Sequence, residues 1–255
     1  MVSQKKLDSP DREKSITLAL KKGFLKKFYL EIYQKYSSIL LNTHSDGIAL
    51  ELGSGCGFVK TVIPEIVTSD VIYYSSVDKI VDATSMPFED KKLKAIFMLN
   101  VLHHVSNSTA AFHEFSRCMT NGGKIFIVDQ YPGIPARWIY KFAHHEPFNE
   151  YSQNWDFDSV GPLSGANGAL AWIIFYRDRE KFEKLYPELK IRKIEVHSPL
   201  RYWLAGGLKK CSLLPGSFFY IATLLDRVLI KIWPGFGSFV DIEIEKIDQI
   251  EEGKK

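Results

Sequence analysis

Cysteine is scarce: three residues in 255, at positions 56, 118 and 211, with no CxxC pair. That excludes a disulfide framework and a zinc site of the usual spacing. Long apolar runs are missing too. No stretch of about 20 residues is free of charges and breakers, so no membrane span is predicted, and the opening MVSQKKLDSPDREK lacks the apolar centre of a signal peptide. Charge of one sign is in short supply. Subtracting 30 Asp+Glu from 33 Lys+Arg leaves +3, too little to call for a nucleic-acid partner. Repeats and low-complexity segments are absent. What is present, 45% hydrophobic and 25% charged residues, is ordinary globular composition. These exclusions describe a soluble, cytoplasmic protein.

The first forty residues read as helix, because Phe24, Phe28, Ile32 and Tyr36 recur every fourth position. Lys21, Lys22, Lys26 and Lys27 form the opposite, solvated side. From residue 48 the pattern changes to short apolar strands over 48–52, 65–70, 79–82, 94–99 and 124–128, with a helix over 109–119 closed by a turn at Asn121-Gly122-Gly123. Strands alternating with helices signal a mostly parallel sheet covered on both faces. Residues 131–187, rich in aromatics, His, Pro and Gly, break the rhythm and read as an insert over the substrate. A strand follows over 189–197, then an apolar helix over 218–233 that reads as core, then a strand over 236–247. In the last strand Val240, Ile242 and Ile244 alternate with Asp241, Glu243 and Glu245, which suits an antiparallel strand with one wetter face.

The strongest chemical signal is Glu51-Leu52-Gly53-Ser54-Gly55-Cys56-Gly57 at the end of the first strand. Alternate glycines let the backbone turn sharply and approach a ligand with no Cβ in the way. A dinucleotide fingerprint would need a further glycine at 58 or 60, where Phe58 and Lys60 stand, so a nicotinamide-dependent oxidoreductase is the weaker reading. Asp70 and Asp82 close the next two strands, where the crevice of an open α/β sheet lies. One carboxylate there can accept from ribose hydroxyls and the other from an adenine amine, with Ala83, Met86 and Phe88 covering the ring.

The order ELGSGCG, SD, VDATSMPFED, IFMLNVLHHV and NGGKIFIVD resembles the class I S-adenosylmethionine (SAM)-dependent methyltransferases, and most closely their small-molecule, type 11 domains. The resemblance covers about residues 45 to 130. It implies a Rossmann-like, doubly wound sheet of seven strands with the last one antiparallel. It also implies a helical cap over residues 1–44 and a methyltransferase domain over 45–255 that carries the 131–187 insert. By the same resemblance Glu51, Gly53, Ser54, Gly55 and Gly57 surround the methionine part of SAM, Asp70 takes the ribose, and Asp82, Ala83 and Met86 take the adenine. Asn100, Val101, His103 and His104 lie between the cofactor and the acceptor. Two departures from the family matter. Pro64 shortens the helix after the glycine loop, and only twelve positions separate Asp70 from Asp82, which leaves Asp78 as an alternative ribose acid.

Methyl transfer to a hydroxyl gains from a general base, and histidine is the usual one near neutral pH. His103, His104, His144 and His145 are the candidates, with Glu146 beside the second pair. A metal ion on His144, His145 and Glu146 is weighed and set aside, since adjacent residues rarely aim at one ion. The expected partner is a small-molecule acceptor, a sugar or lipid-linked metabolite, with no nucleic acid, room for peripheral membrane contact, and a monomer or homodimer. A SAM-binding module that regulates without catalysis is the reading from outside enzymology.

Overall fold

Seven apolar segments pair into one sheet: β1 (Ile48–Leu52), β2 (Val67–Asp70), β3 (Lys79–Ile80), β4 (Leu93–Leu99), β5 (Met119–Gln130), β6 (Leu189–His197) and β7 (Phe239–Lys246). The computed structural model describes residues 12–142, 146–159, 161, 165–207 and 212–248. Strand order is β3-β2-β1-β4-β5-β7-β6. The first five strands run parallel, and β7 inserts antiparallel between β5 and β6. The α/β, Rossmann-like sheet with a reversed last strand is therefore as the sequence implied.

Side-chain alternation assigns each face its cover. Leu50, Leu52, Ile96, Met98, Ile125 and Ile127 face a core completed by Phe112 and Phe115 of α3 (Ser108–Cys118). Asn107 caps that helix by accepting from the Ala110 amide at 2.9 Å. Ala49, Phe97, Phe126 and Val128 face the other way, onto α1 (Arg12–Leu20) and α2 (Gly23–Leu41). Tyr36 of α2 stacks on Phe97 with ring centres 4.3 Å apart. Lys35, one residue earlier, pairs with buried Asp241 of β7. Burial alone would raise the Asp241 carboxyl, but the His197 and Lys35 charges hold it at about 2.

Four boundaries depart from the sequence pattern for physical reasons. Strand β2 starts at Val67 rather than 65, just after the turn that Pro64 opens. Strand β3 stops at Ile80 because Asp82 turns back to bridge Ser85, taking the Thr84 amide at 2.8 Å. Asn121-Gly122-Gly123 is not a turn between elements. It is a bulge inside β5, where the register against β4 slips and Gly122 adopts φ 76°. The helix over 218–233 is α6 (Phe219–Ile232), and only one face of it is core: Phe219, Ala222, Thr223 and Asp226 are buried, and most of the rest is exposed. The 131–187 insert contains α4 (Ile134–Phe142), a helical stretch over 170–177 that ends in a π turn, and α5 (Arg179–Leu185). Among the described residues no helix is long and apolar enough to cross a membrane.

Candidate active site at the strand tips

The glycine loop leaves β1 with Gly53, Gly55 and Gly57 at φ 69°, 57° and 65°, a region that side chains with a Cβ resist. At Gly53 the demand is also steric, since a Cβ there would sit 2.3 Å from Val101 Cγ2. Ser54 holds the loop down. Its amide donates to Ser69 O at 2.8 Å, and its hydroxyl accepts from the Ser69 amide at 3.1 Å. Asp70 does the same from the tip of β2, accepting the Gly55 amide at 3.0 Å and the Ile72 amide at 3.1 Å. The loop that would face a ligand is thus fixed by its own neighbours. Short 3₁₀ structure over Phe58–Thr61 replaces the long helix common at this point, as Pro64 implied.

Two polar atoms in this crevice are left without donors. Glu51 Oε2 and Asn100 Oδ1 are buried and have no hydrogen-bond partner, at the tips of adjacent strands β1 and β4. Unsatisfied buried oxygens cost about 1–3 kcal/mol each, so they mark a place built for a donor. Burial, with the Asp70 charge nearby, pushes the Glu51 carboxyl up to about 8. Tyr33 and Tyr36 of α2 stand close enough that Glu51 raises their hydroxyl pKa further than burial does alone. Asn100 itself adopts φ 57°, a strained backbone for a non-glycine residue. Asp82 is exposed, Ala83 is half-buried, and Met86 is buried with its amide on Glu114 at 2.7 Å. Asp78 lies at the other end of the sheet edge, paired with Lys60 at 2.6 Å and with Thr68, away from the strand tips.

A second cluster gathers opposite. The 3₁₀ turn Leu102–His104 follows β4 and buries His103. Its Nδ1 lies 2.6 Å from Asp129 Oδ1, at the tip of β5, and its backbone amide donates to Asp129 Oδ2 at 3.2 Å. On the far side its Nε2 is 3.4 Å from Glu146 Oε2. His104 Nε2 approaches Glu146 Oε1 at 3.5 Å, and its Nδ1 lies 3.2 Å from Gly165 O. A carbonyl can only accept, so a ring hydrogen of His104 sits on Nδ1. Burial would depress His103, but Asp129 and then Glu146 carry it up to about 10. Glu146, despite its burial, is held far below the ordinary carboxylate range by His103 and His104. An imidazole wedged between two carboxylates keeps its proton. Ligand atoms of His103, His104 and Glu146 also lie within 4.8 Å of one another, a spacing into which a divalent cation fits.

Of the sequence candidates, the structure brings His103 and His104 together at the cluster. Glu51, Gly53, Ser54, Gly55, Gly57, Asp70, Asn100 and Val101 line or support the crevice. His144 and His145 lie outside the described residues. The contacts of Asp129 and Glu146 with His103 were not readable in advance. Asp129 at a strand tip was a signal, whereas the return of Glu146 depends on a loop path that no local pattern encodes. The insert is stapled there by Asn167, whose amide donates to His103 O at 2.8 Å while its side chain binds Asn149. Apart from all this, an open cavity of 650 Å³ lined by Arg137, Glu150, Trp172 and Arg177 lies in the insert.

This strand order, with a three-glycine loop after β1 and orphaned acceptors at the tips, is a Rossmann-like α/β fold with a polar crevice at its strand tips. Residues 50–127 match the family described as "Methyltransferase domain". That match spans under a third of the chain. No curated protein matches the chain. Among solved structures, it is similar to geranyl diphosphate C-methyltransferase from Streptomyces coelicolor A3(2) at 14% identity, over 84% of this chain and 77% of that one, with a TM-score of 0.46. A chain in the complex of the Haloferax volcanii Trm112 methyltransferase activator aligns at 11% identity, over 94% and 95%, with a TM-score of 0.49. Haemonchus contortus phosphoethanolamine N-methyltransferase 2 aligns at 13% identity, over 84% and 53%, with a TM-score of 0.45.

Proposed function

We propose that this enzyme methylates a small-molecule acceptor whose reacting oxygen or nitrogen lies before His104 and Glu146. The observation that carries the reading is the pair of buried, donorless oxygens on Glu51 and Asn100, set at the strand tips next to the His103 cluster. Those oxygens receive the donors of SAM, with Asp82 and Met86 toward the adenine and Asp70 bracing the loop around it. When bound, SAM supplies an electrophilic methyl group on a cationic sulfur. Residues 131–187 supply the acceptor-side wall.

Each residue of the cluster then has a separate task. Asp129 fixes the His103 ring. His103 keeps its proton and anchors Glu146. The Glu146 carboxylate orients the acceptor's hydroxyl or amine. His104, its Nδ1–H committed to Gly165 O, offers Nε2 to take the acceptor's proton as the bond to carbon forms. Proton removal of this kind contributes about 10²–10⁴-fold, and alignment of the two reactants contributes the rest.

Substituting His104→Gln tests the assignment. Calorimetric titration should give unchanged SAM affinity, while methyl transfer to the acceptor, followed with radiolabelled SAM across metabolite pools, should fall by about 10²–10⁴-fold. Full activity in this variant removes His104 from the chemistry. No binding of SAM by the wild-type chain removes the whole reading.

A further inference from the structure

Two helices beyond the catalytic crevice keep apolar faces turned to solvent. On α6 the exposed positions include Tyr220, Ile221, Leu224, Leu225, Val228 and Ile232, with Tyr220 and Ile232 each 69% exposed. On α4 they include Ile134, Trp138 and Phe142, the last two 67% exposed. The two faces meet. Helix α4 packs on the Pro234–Phe236 turn that continues α6, so tightly that a Cβ on Gly133 would fall 1.9 Å from Gly237 O. Monomeric soluble proteins rarely expose so many large apolar side chains side by side.

The charges on these faces have one sign. Arg227 and Lys231 are the exposed charges of α6, whose acid, Asp226, is buried against Arg201 at 2.7 Å. Helix α4 contains no acid at all, only Arg137, which pairs with Glu150, and exposed Lys141. Lys27 lies over the Tyr220 ring at 4.6 Å and Lys141 over Phe142 at 5.5 Å. Apolar side chains, aromatic rings and cations on one helix face are what the headgroup–acyl boundary of an anionic bilayer accepts. A second copy of the chain fits less well, because two-fold pairing sets Arg227 and Lys231 of one copy against the same cations of the other.

We propose that α6 and α4 together form a peripheral membrane-binding face for an anionic lipid surface, with α6 lying in the plane of the interface. The face adjoins the acceptor side of the enzyme. Helix α4 leads from the tip of β5, which bears Asp129, toward Glu146, and Tyr140 on it stacks on Phe148 with ring centres 4.7 Å apart. Docking thus turns the acceptor side of the protein toward the bilayer. The inference is independent of the acceptor, because vesicle binding is read without SAM or substrate.

Flotation of the full chain with phosphatidylcholine vesicles, with and without phosphatidylglycerol, tests it. Binding should require phosphatidylglycerol, weaken at high salt, and shift the tryptophan emission to the blue. A Leu224→Glu/Val228→Glu variant should bind these vesicles at least about tenfold more weakly, with an unchanged circular dichroism spectrum and cooperative melt as proof of folding. Should that variant fail to fold, Trp138→Ser/Phe142→Ser carries the same expectation. Reversing Arg227→Glu/Lys231→Glu should abolish the preference for anionic vesicles. No binding to either vesicle by the wild-type chain overturns the proposal, and so does equal binding by the folded apolar-to-charged variants. A wild-type dimer that these substitutions dissolve assigns the face to a second copy instead, and equally overturns it.

Discussion

The two sides of the catalytic crevice treat their polar atoms in opposite ways. On the cofactor side, Glu51 and Asn100 each bury an oxygen that no group of the protein satisfies. On the acceptor side, Asp129, His103, Glu146, His104 and Gly165 O form an unbroken chain of contacts. The first side is built incomplete and gains from the arrival of a donor. The second is already paired internally, so an acceptor must enter by displacing a contact rather than by filling a vacancy. Under the proposed function, that difference separates binding energy, spent on SAM, from proton handling, which is assembled in advance.

The largest break in this comparison comes from Asp129→Asn. Removing a carboxylate that is wholly buried beside a cationic imidazole should cost about 3–5 kcal/mol of folding stability, measured by urea denaturation. A loss below about 1 kcal/mol would mean that the cluster is not the buried ion network described. Next is Glu51→Gln, which should weaken SAM binding by about 10–100-fold, the worth of a hydrogen bond to a charged group.

The same residue gives a pH test whose sign is fixed. Glu51 titrates at about 8 in the fold against an ordinary 4.5, so the folded protein holds a proton that the unfolded chain releases. Stability of the SAM-free protein is therefore full below about pH 4.5 and declines as pH rises to about 8. SAM affinity moves the other way, rising through that window and levelling above it, since the cationic cofactor favours the carboxylate. Both slopes, read by thermal melts and calorimetry, should flatten in Glu51→Gln. Substituting Asn100→Leu should have a smaller effect, about 3–10-fold on SAM affinity, because its lost bond is neutral. The smallest expected effect is none. Chelators should leave turnover unchanged, and loss of activity on chelation would make the His103, His104 and Glu146 cluster a metal centre instead.

How legible all this was in the sequence follows from the range of each interaction. The glycine loop, Asp70, Asp82 and the NVLHH segment are local patterns fixed to strand tips, and strand tips follow from short apolar runs. Glu146 reaches His103 only because Asn167 and Gly165 fold the insert back, and no spacing rule encodes that path. The bulge at Asn121-Gly122-Gly123 shares its residues with a turn, and only the register against β4 separates the two. Helix α6 misled for a related reason. A continuous apolar helix reads alike whether its second face is covered or bare, and composition says nothing about which neighbours exist.

The ion pair between Lys35 and Asp241 has a bearing on biosynthesis. It joins the second helix to the final strand, and that strand is also the only link between β5 and β6 in the sheet. A nascent chain emerging from the ribosome can pack Tyr36 on Phe97 of β4 early, but it cannot close this ion pair until β7 has been translated. Contacts so distant in sequence slow folding, so the crevice should reach its final form only after β7 has joined the sheet.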